Sequence, residues 1–144
     1  MTLQQQRFIT PKVAEYPPGH WSNCIRVGDH VWLSGFTARA NDLKSIQHPN
    51  DAYGQAKVIF QKIKDCLEGA GAEMGDVVNM TIFVVDMADN KGIWRARQEF
   101  FKGDFPCSTL IEIKGLANPE IKLEIQCQAV AGSRKGYKSI DPEA

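Results

Sequence analysis

The stretch that most constrains the fold is Ile121–Ala129, where apolar and polar residues alternate without a break. Ile121, Leu123, Ile125, Cys127 and Ala129 fall on one side; Lys122, Glu124, Gln126 and Gln128 fall on the other. A period of two belongs to a β-strand, whose successive side chains leave on opposite faces. One face must then sit on a core. The other meets solvent or floors a polar pocket. This strand is the second of two within Phe105–Ala131, joined by a link that carries Gly115, Asn118 and Pro119.

The rest of the chain supplies partners for that strand. Asn23–Val27 and His30–Ser34 flank the turn dipeptide Gly28-Asp29, the pattern of a tight hairpin, and Gly35 ends it. Phe36–Asn50 is polar and aperiodic, so a loop is expected. Asp51–Gly71 carries the strongest helical signal: Ala52, Ala56, Ile59, Phe60, Ile63, Leu67 and Ala70 recur at three- and four-residue steps. Gln55, Lys57, Gln61, Lys64 and Glu68 fall opposite. Asn50 or Asp51 suits the N-cap, and Gly69 and Gly71 suit the end. Asp76–Asp86 is a continuous apolar run rich in β-branched residues, which predicts a central strand covered on both faces. A second helix is expected over Asn90–Lys102, burying Ile93, Ala96 and Phe100, with Phe101 beside them, before Gly103 and Pro106 stop it. Residues 1–20 form an extended entry segment interrupted by Pro11, Pro17, Pro18 and Gly19, and the tail 132–144 is polar and expected to fray.

The predicted order is β-β-α-β-α-β-β in a single domain over residues 1–144. That makes the fold class α+β, a mixed sheet with two helices on one face, because each helix shows a single apolar stripe. The other sheet face, with Trp32 and the polar row Glu124–Gln128, then stays uncovered within one subunit, which points to oligomerisation. Lys+Arg and Asp+Glu are balanced at 17 each, so no field recruits nucleic acid or an anionic membrane. No apolar run reaches signal-peptide or transmembrane length, and the expected location is cytoplasmic. Cys24, Cys66, Cys107 and Cys127, like His20, His30 and His48, lack ligand spacing, so no metal is expected and the thiols read as free.

Several short motifs, in this order and spacing, resemble the YjgF/Rid family of reactive-intermediate (enamine/imine) deaminases. They are Val27-Gly28, Leu33-Ser34-Gly35, Ala70-Gly71-Ala72, Asp76-Val77-Val78, Thr81 through Asp86, Phe100-Phe101, Pro106, and Ile121 through Ile125. The resemblance covers about residues 20–131. It implies a chorismate-mutase-like fold, a homotrimer with small-molecule clefts between neighbouring subunits, and hydrolysis of small enamines and imines without a cofactor. It also implies that Glu124 positions the attacking water and that Ser34 and Gly35 belong to the pocket. Trp21 stands where the family has a tyrosine, and Trp94 stands near a polar position of the second helix.

The departure comes at the carboxylate clamp. The family's Pro-x-Arg is here Pro106-Cys107-Ser108, so a neutral hydroxyl replaces a guanidinium that would hold an acid group through two hydrogen bonds. Arg39, in the loop after Ser34-Gly35, is the leading replacement ahead of Arg95 and Arg97. Cys107 and Ser108 are expected at the pocket rim, and Trp21 and Trp94 either wall the pocket or pack an interface. Two readings stay open: an imine or enamine deaminase with a non-standard substrate, and a non-catalytic trimer that binds a metabolite. A nucleic-acid enzyme is the weakest alternative, since no basic aromatic stripe is present.

Overall fold

A computed structural model describes residues 3–142; the outermost residues of the entry segment and of the tail lie outside that range. The strands are β1 (Gln5–Arg7), β2 (Cys24–Val27), β3 (His30–Leu33), β4 (Val77–Val84), β5 (Cys107–Glu112) and β6 (Leu123–Val130). The helices are α1 (Ala52–Gly69) and α2 (Asn90–Phe100). All six strands form one sheet in the order β1-β2-β3-β6-β4-β5. The alternating strand β6 therefore lies deep in the sheet, antiparallel to both β3 and β4. Its apolar row is buried, as the period of two requires.

Strands β5 and β6 follow each other in the chain but do not pair. β4 lies between them and runs parallel to β5, so β4–α2–β5 is a crossover unit of the kind a parallel pair demands. Both helices pack on one side, where Phe60 of α1 meets Phe100 and Phe101 with ring centroids 5.5 and 5.8 Å apart. Ile59, Ile63, Ile93 and Ala96 share a single core with Met80, Ile82, Leu123 and Ile125.

Several sequence expectations need correction. Within the chain β4 is covered on one face only: Met80, Ile82 and Val84 are buried, whereas Thr81 and Phe83 are half-buried and Val78 is 43% exposed. Continuous apolarity had hidden its alternation. The entry segment contributes β1, whose exposed QQR has no apolar signature and is held by backbone pairing to β2. The start of the tail does not fray. Buried Asp76, just before β4, accepts hydrogen bonds from Gly132 N (3.1 Å) and Arg134 N (3.0 Å), and Tyr137 donates to Asp104. Gln55, assigned to the polar side of α1, is fully buried. Its amide donates to the carbonyls of His48 (3.0 Å) and Glu120 (2.8 Å) and accepts from Lys122 N (2.8 Å). The helical spacing of α1 holds, and a polar side chain is buried within it because its donors and acceptor are met.

The helix ends follow the predicted chemistry. Asp51 caps α1 by accepting from Gly54 N at 3.1 Å. Gly71, with φ of 79°, lets the chain leave in a left-handed turn closed by Ala72 N to Leu67 O at 2.8 Å.

Candidate functional site

After β3 the chain leaves the sheet at Gly35 but returns at once, because Phe36 and Ile125 exchange two backbone hydrogen bonds of 2.9 and 3.1 Å. This extra pairing lays Gly35 directly against the Glu124 side chain. A Cβ at position 35 would collide with the Oε1 and Cδ atoms of Glu124. Any larger residue at position 35 would push the Glu124 carboxylate from its place, so glycine serves here through that close approach and not through backbone conformation.

The loop that follows is internally braced. The Asp42 carboxylate accepts from Lys44 N and Ser45 N, both at 2.8 Å, and from the Ser45 hydroxyl. Those bonds, led by the hydroxyl, hold its pKa down to about 2. Arg39 bridges to Ile46, and Lys62 reaches across from α1 to donate to Thr37 O (2.7 Å) and Arg39 O (2.5 Å). On the other side, buried Asn23 fixes the entry segment through Ala14 O at 3.0 Å, and the rings of Tyr16 and Trp21 lie 4.3 Å apart.

Loop, entry segment and β6 enclose a cavity of about 150 Å³ lined by Tyr16, Trp21, Gly35, Arg39, Lys62 and Glu124 among others. An engineered apolar cavity of comparable size accepts benzene, so a ligand of a few heavy atoms fits. Glu124 is half-buried, and among the described residues none hydrogen-bonds or ion-pairs with its carboxylate. Burial pushes its pKa above the usual carboxylate range. Lys62 is displaced the opposite way, to about 8, first by burial and then by the neighbouring Arg39 charge. A lone carboxylate and two cations around one small hollow is an arrangement suited to proton transfer beside a bound anion.

The residues singled out in the sequence divide into two groups. Glu124, Gly35, Arg39 and Trp21 share this cavity. Ser34 is adjacent, but its hydroxyl donates to Ser22 O at 2.6 Å and serves the backbone. Within one chain Ser108, Cys107 and Trp94 lie apart from this cavity, whereas the expected cleft lies between neighbouring subunits. Ser108 pairs with Met80 and Glu124 with Phe83, positions on opposite faces of β4 and three residues apart. The Ser108 hydroxyl already accepts from Arg97 Nη1 at 3.1 Å. Exposed Cys107 borders a second hollow of about 390 Å³ with Phe105, Arg134 and Tyr137. Trp94 is 49% exposed on α2. Cys24, Cys66 and Cys127 are buried, with burial pushing their thiols up to about 11, 12 and 12.

Lys62 went unrecognised in the sequence, although a signal existed: it sits at helical spacing from Ile59 and Cys66, so a lysine occupies the edge of the apolar stripe. Among the described residues, no group of three or more His, Cys, Asp or Glu is placed to hold a metal ion, and no helix is long and apolar enough to cross a membrane.

The model of the endoribonuclease L-PSP family, the YjgF/Rid proteins, matches residues 12–131. The chain belongs to the YjgF/Rid family. Among its Rid relatives, a 2-iminobutanoate/2-iminopropanoate deaminase of Dermatophagoides farinae is 29% identical over 126 residues, covering 85% of this chain and 95% of that protein. The crystal structure of a protein of unknown function, PA3499 of Pseudomonas aeruginosa, superposes with a TM-score of 0.80 at 36% identity, over 91% of this chain and 95% of the other. Escherichia coli TdcF, solved with bound serine, superposes at 0.79 with 25% identity, over 88% of this chain and 99% of its own. The mixed sheet with its two helices is thus the Rid fold.

Proposed function

We propose that this Rid protein hydrolyses small reactive imines, or the enamines in equilibrium with them, to a ketone and ammonia. The observation that carries this reading is Glu124: a half-buried carboxylate with no partner among the described residues, raised in pKa, at the wall of a cavity that also holds Arg39. Glu124 accepts a proton from water as the water oxygen bonds to the imine carbon, and returns it to the nitrogen, giving a carbinolamine. Glu124 then carries the carbinolamine hydroxyl proton to nitrogen as the C–N bond breaks, so ammonia leaves and the carbonyl forms. A base tuned upward from the ordinary carboxylate range suits both transfers. Gly35 leaves room for the carboxylate, Trp21 and Tyr16 shape the wall, and Arg39 faces the acid group. The deaminase relative and the serine-bound neighbour both support a ligand of amino-acid size.

The proposal extends to assembly. The half-bare sheet face and the exposed edge strand β5 (Ile111 is 41% exposed) fit a homotrimer that closes the open side of the cavity. Ser108, Cys107 and Trp94 reach a ligand only across such an interface. Sedimentation equilibrium at a threefold mass is the expected result.

A second reading is favoured by Ser108, which supplies no charge at the family's arginine position: the same trimer binds a metabolite without transforming it. The decisive assay follows loss of freshly generated 2-iminopropionate with the natural protein beside Glu124→Gln. Acceleration well above buffer that vanishes in the variant supports hydrolysis. Pyruvate binding without any acceleration supports the binding reading instead.

A further inference from the structure

We infer that Lys62 is the residue that makes this cavity select acids, its ammonium holding the carboxylate of a small monoanionic ligand. The inference rests on the reading of the Glu124 cavity as the ligand site, and it concerns a residue to which that reading gives no part.

The charge balance comes first. The charged side chains lining the cavity are Arg39, Lys62 and Glu124, two positive and one negative, leaving a surplus of one positive charge (2 − 1 = 1). Neither cation forms a salt bridge with Glu124 among the described residues. Two like charges in a partly desolvated hollow repel each other, and that repulsion is one reason Lys62 falls to about 8. It is nonetheless mostly protonated at neutral pH. One anion between the two cations relieves the repulsion and matches the surplus.

The hydrogen bonds agree. An ammonium has three donors, and Lys62 commits two of them, to Thr37 O and Arg39 O. The third is uncommitted among the described residues. The two carbonyl bonds fix Nζ in place, so little side-chain entropy remains to be lost when an anion arrives. Arg39 is less well held, its single side-chain bond to Leu43 O being 3.4 Å long. The better-ordered cation is the lysine. Pinning the loop by itself requires only a neutral donor such as an amide, so a charge at this position serves something further. The cavity volume of about 150 Å³ accommodates a short-chain acid.

The test compares pyruvate with its neutral isostere pyruvamide by titration calorimetry, on the full-length protein and on Lys62→Gln and Lys62→Arg. Glutamine keeps a donor for the loop carbonyls and removes the charge. The natural protein and Lys62→Arg should prefer pyruvate by about tenfold or more, the worth of one charge-assisted hydrogen bond. Lys62→Gln should lose most of that preference, keeping only what Arg39 supplies, with pyruvamide affinity unchanged. A preference that survives undiminished in Lys62→Gln overturns the inference while leaving the cavity reading intact. Failure of the natural protein to bind either ligand overturns that reading, and the inference with it. If Lys62→Gln does not fold, the Nζ resonance of Lys62 in the natural protein decides: a shift with pyruvate and none with pyruvamide supports the assignment, and no shift with either overturns it. Borohydride trapping of a pyruvate adduct on Lys62 would also overturn it, because the amine would then be a nucleophile and not a counter-ion.

Discussion

The hollow at Glu124 and the rim at Cys107–Ser108 carry the same kind of motif evidence, yet the chain treats them in opposite ways. Glu124 is half-buried and has no partner among the described residues, and a glycine without a Cβ lies against it. Ser108 is exposed and already bonded to Arg97, and Cys107 opens onto a different hollow. A polar group that a fold buries and leaves unsatisfied must gain something from a ligand. One that is exposed and satisfied makes no such demand within the chain. Matching to a family motif ranks the two regions alike; physical cost separates them.

The sharpest way to break this contrast is Glu124→Gln. We expect kcat for 2-iminopropionate to fall by about 100-fold or more, the usual worth of a general base, with pyruvate binding retained. Ser108→Ala should leave kcat within about twofold, since a surface change of this kind is worth at most about 0.5 kcal/mol. Equal losses in the two variants would dissolve the distinction. Next comes Gly35→Ala, whose new methyl displaces the carboxylate: kcat should drop by about tenfold to 100-fold with KM little changed, as misplacement of a catalytic group by about 1 Å predicts.

Gln55→Ala tests the scaffold instead of the chemistry. It leaves Lys122 N without its acceptor and takes one of two donors from each of the carbonyls of His48 and Glu120, and should cost about 1–3 kcal/mol in denaturant unfolding. A loss confined to activity would show that the amide network is not structural.

The pH dependence is a finer probe. Because burial raises the Glu124 pKa, the acid limb of kcat should lie above the ordinary carboxylate range and disappear in Glu124→Gln. The sign for stability runs the other way. A carboxyl whose folded pKa is raised favours the fold when protonated, and that contribution is lost as pH rises through the folded value. Glu124→Gln should therefore melt at a higher temperature than the natural protein at pH 7. The smallest effect is expected from Ser108→Arg. With the acid group held by the cations beside Glu124, no gain in activity should follow, and a clear gain would return the clamp to β5.

What was legible in the sequence follows from range. The β6 alternation, the Gly28-Asp29 hairpin and the α1 stripe are local periodicities, and each appears where it was expected. The parallel placement of β5 beside β4 is a choice of partner across a helix, which no local pattern records. β1 is held by backbone pairing to β2 and by the Arg7–Glu15 ion pair, neither of which leaves an apolar pattern in the sequence. Gln55 looked like surface because its acceptors and donors lie far along the chain. Lys62 was visible as a charged residue at the edge of an apolar stripe, but its reach to the carbonyls of residues 37 and 39 is a fact of three dimensions. For the site, Glu124 and Gly35 were named from motif, and the collision that ties them together needed coordinates.

The buried amide of Gln55 has one further consequence. It grips Lys122, sixty-seven residues away in the chain and two positions ahead of Glu124. Side chains on a strand alternate, so sliding β6 by a single residue would turn Glu124 into the oil and bring a branched alkyl group to the mouth of the hollow. The helix thus acts as a detent on the strand. One glutamine sets the phase of the sheet, and with it which of two interchangeable rows of side chains meets the outside world.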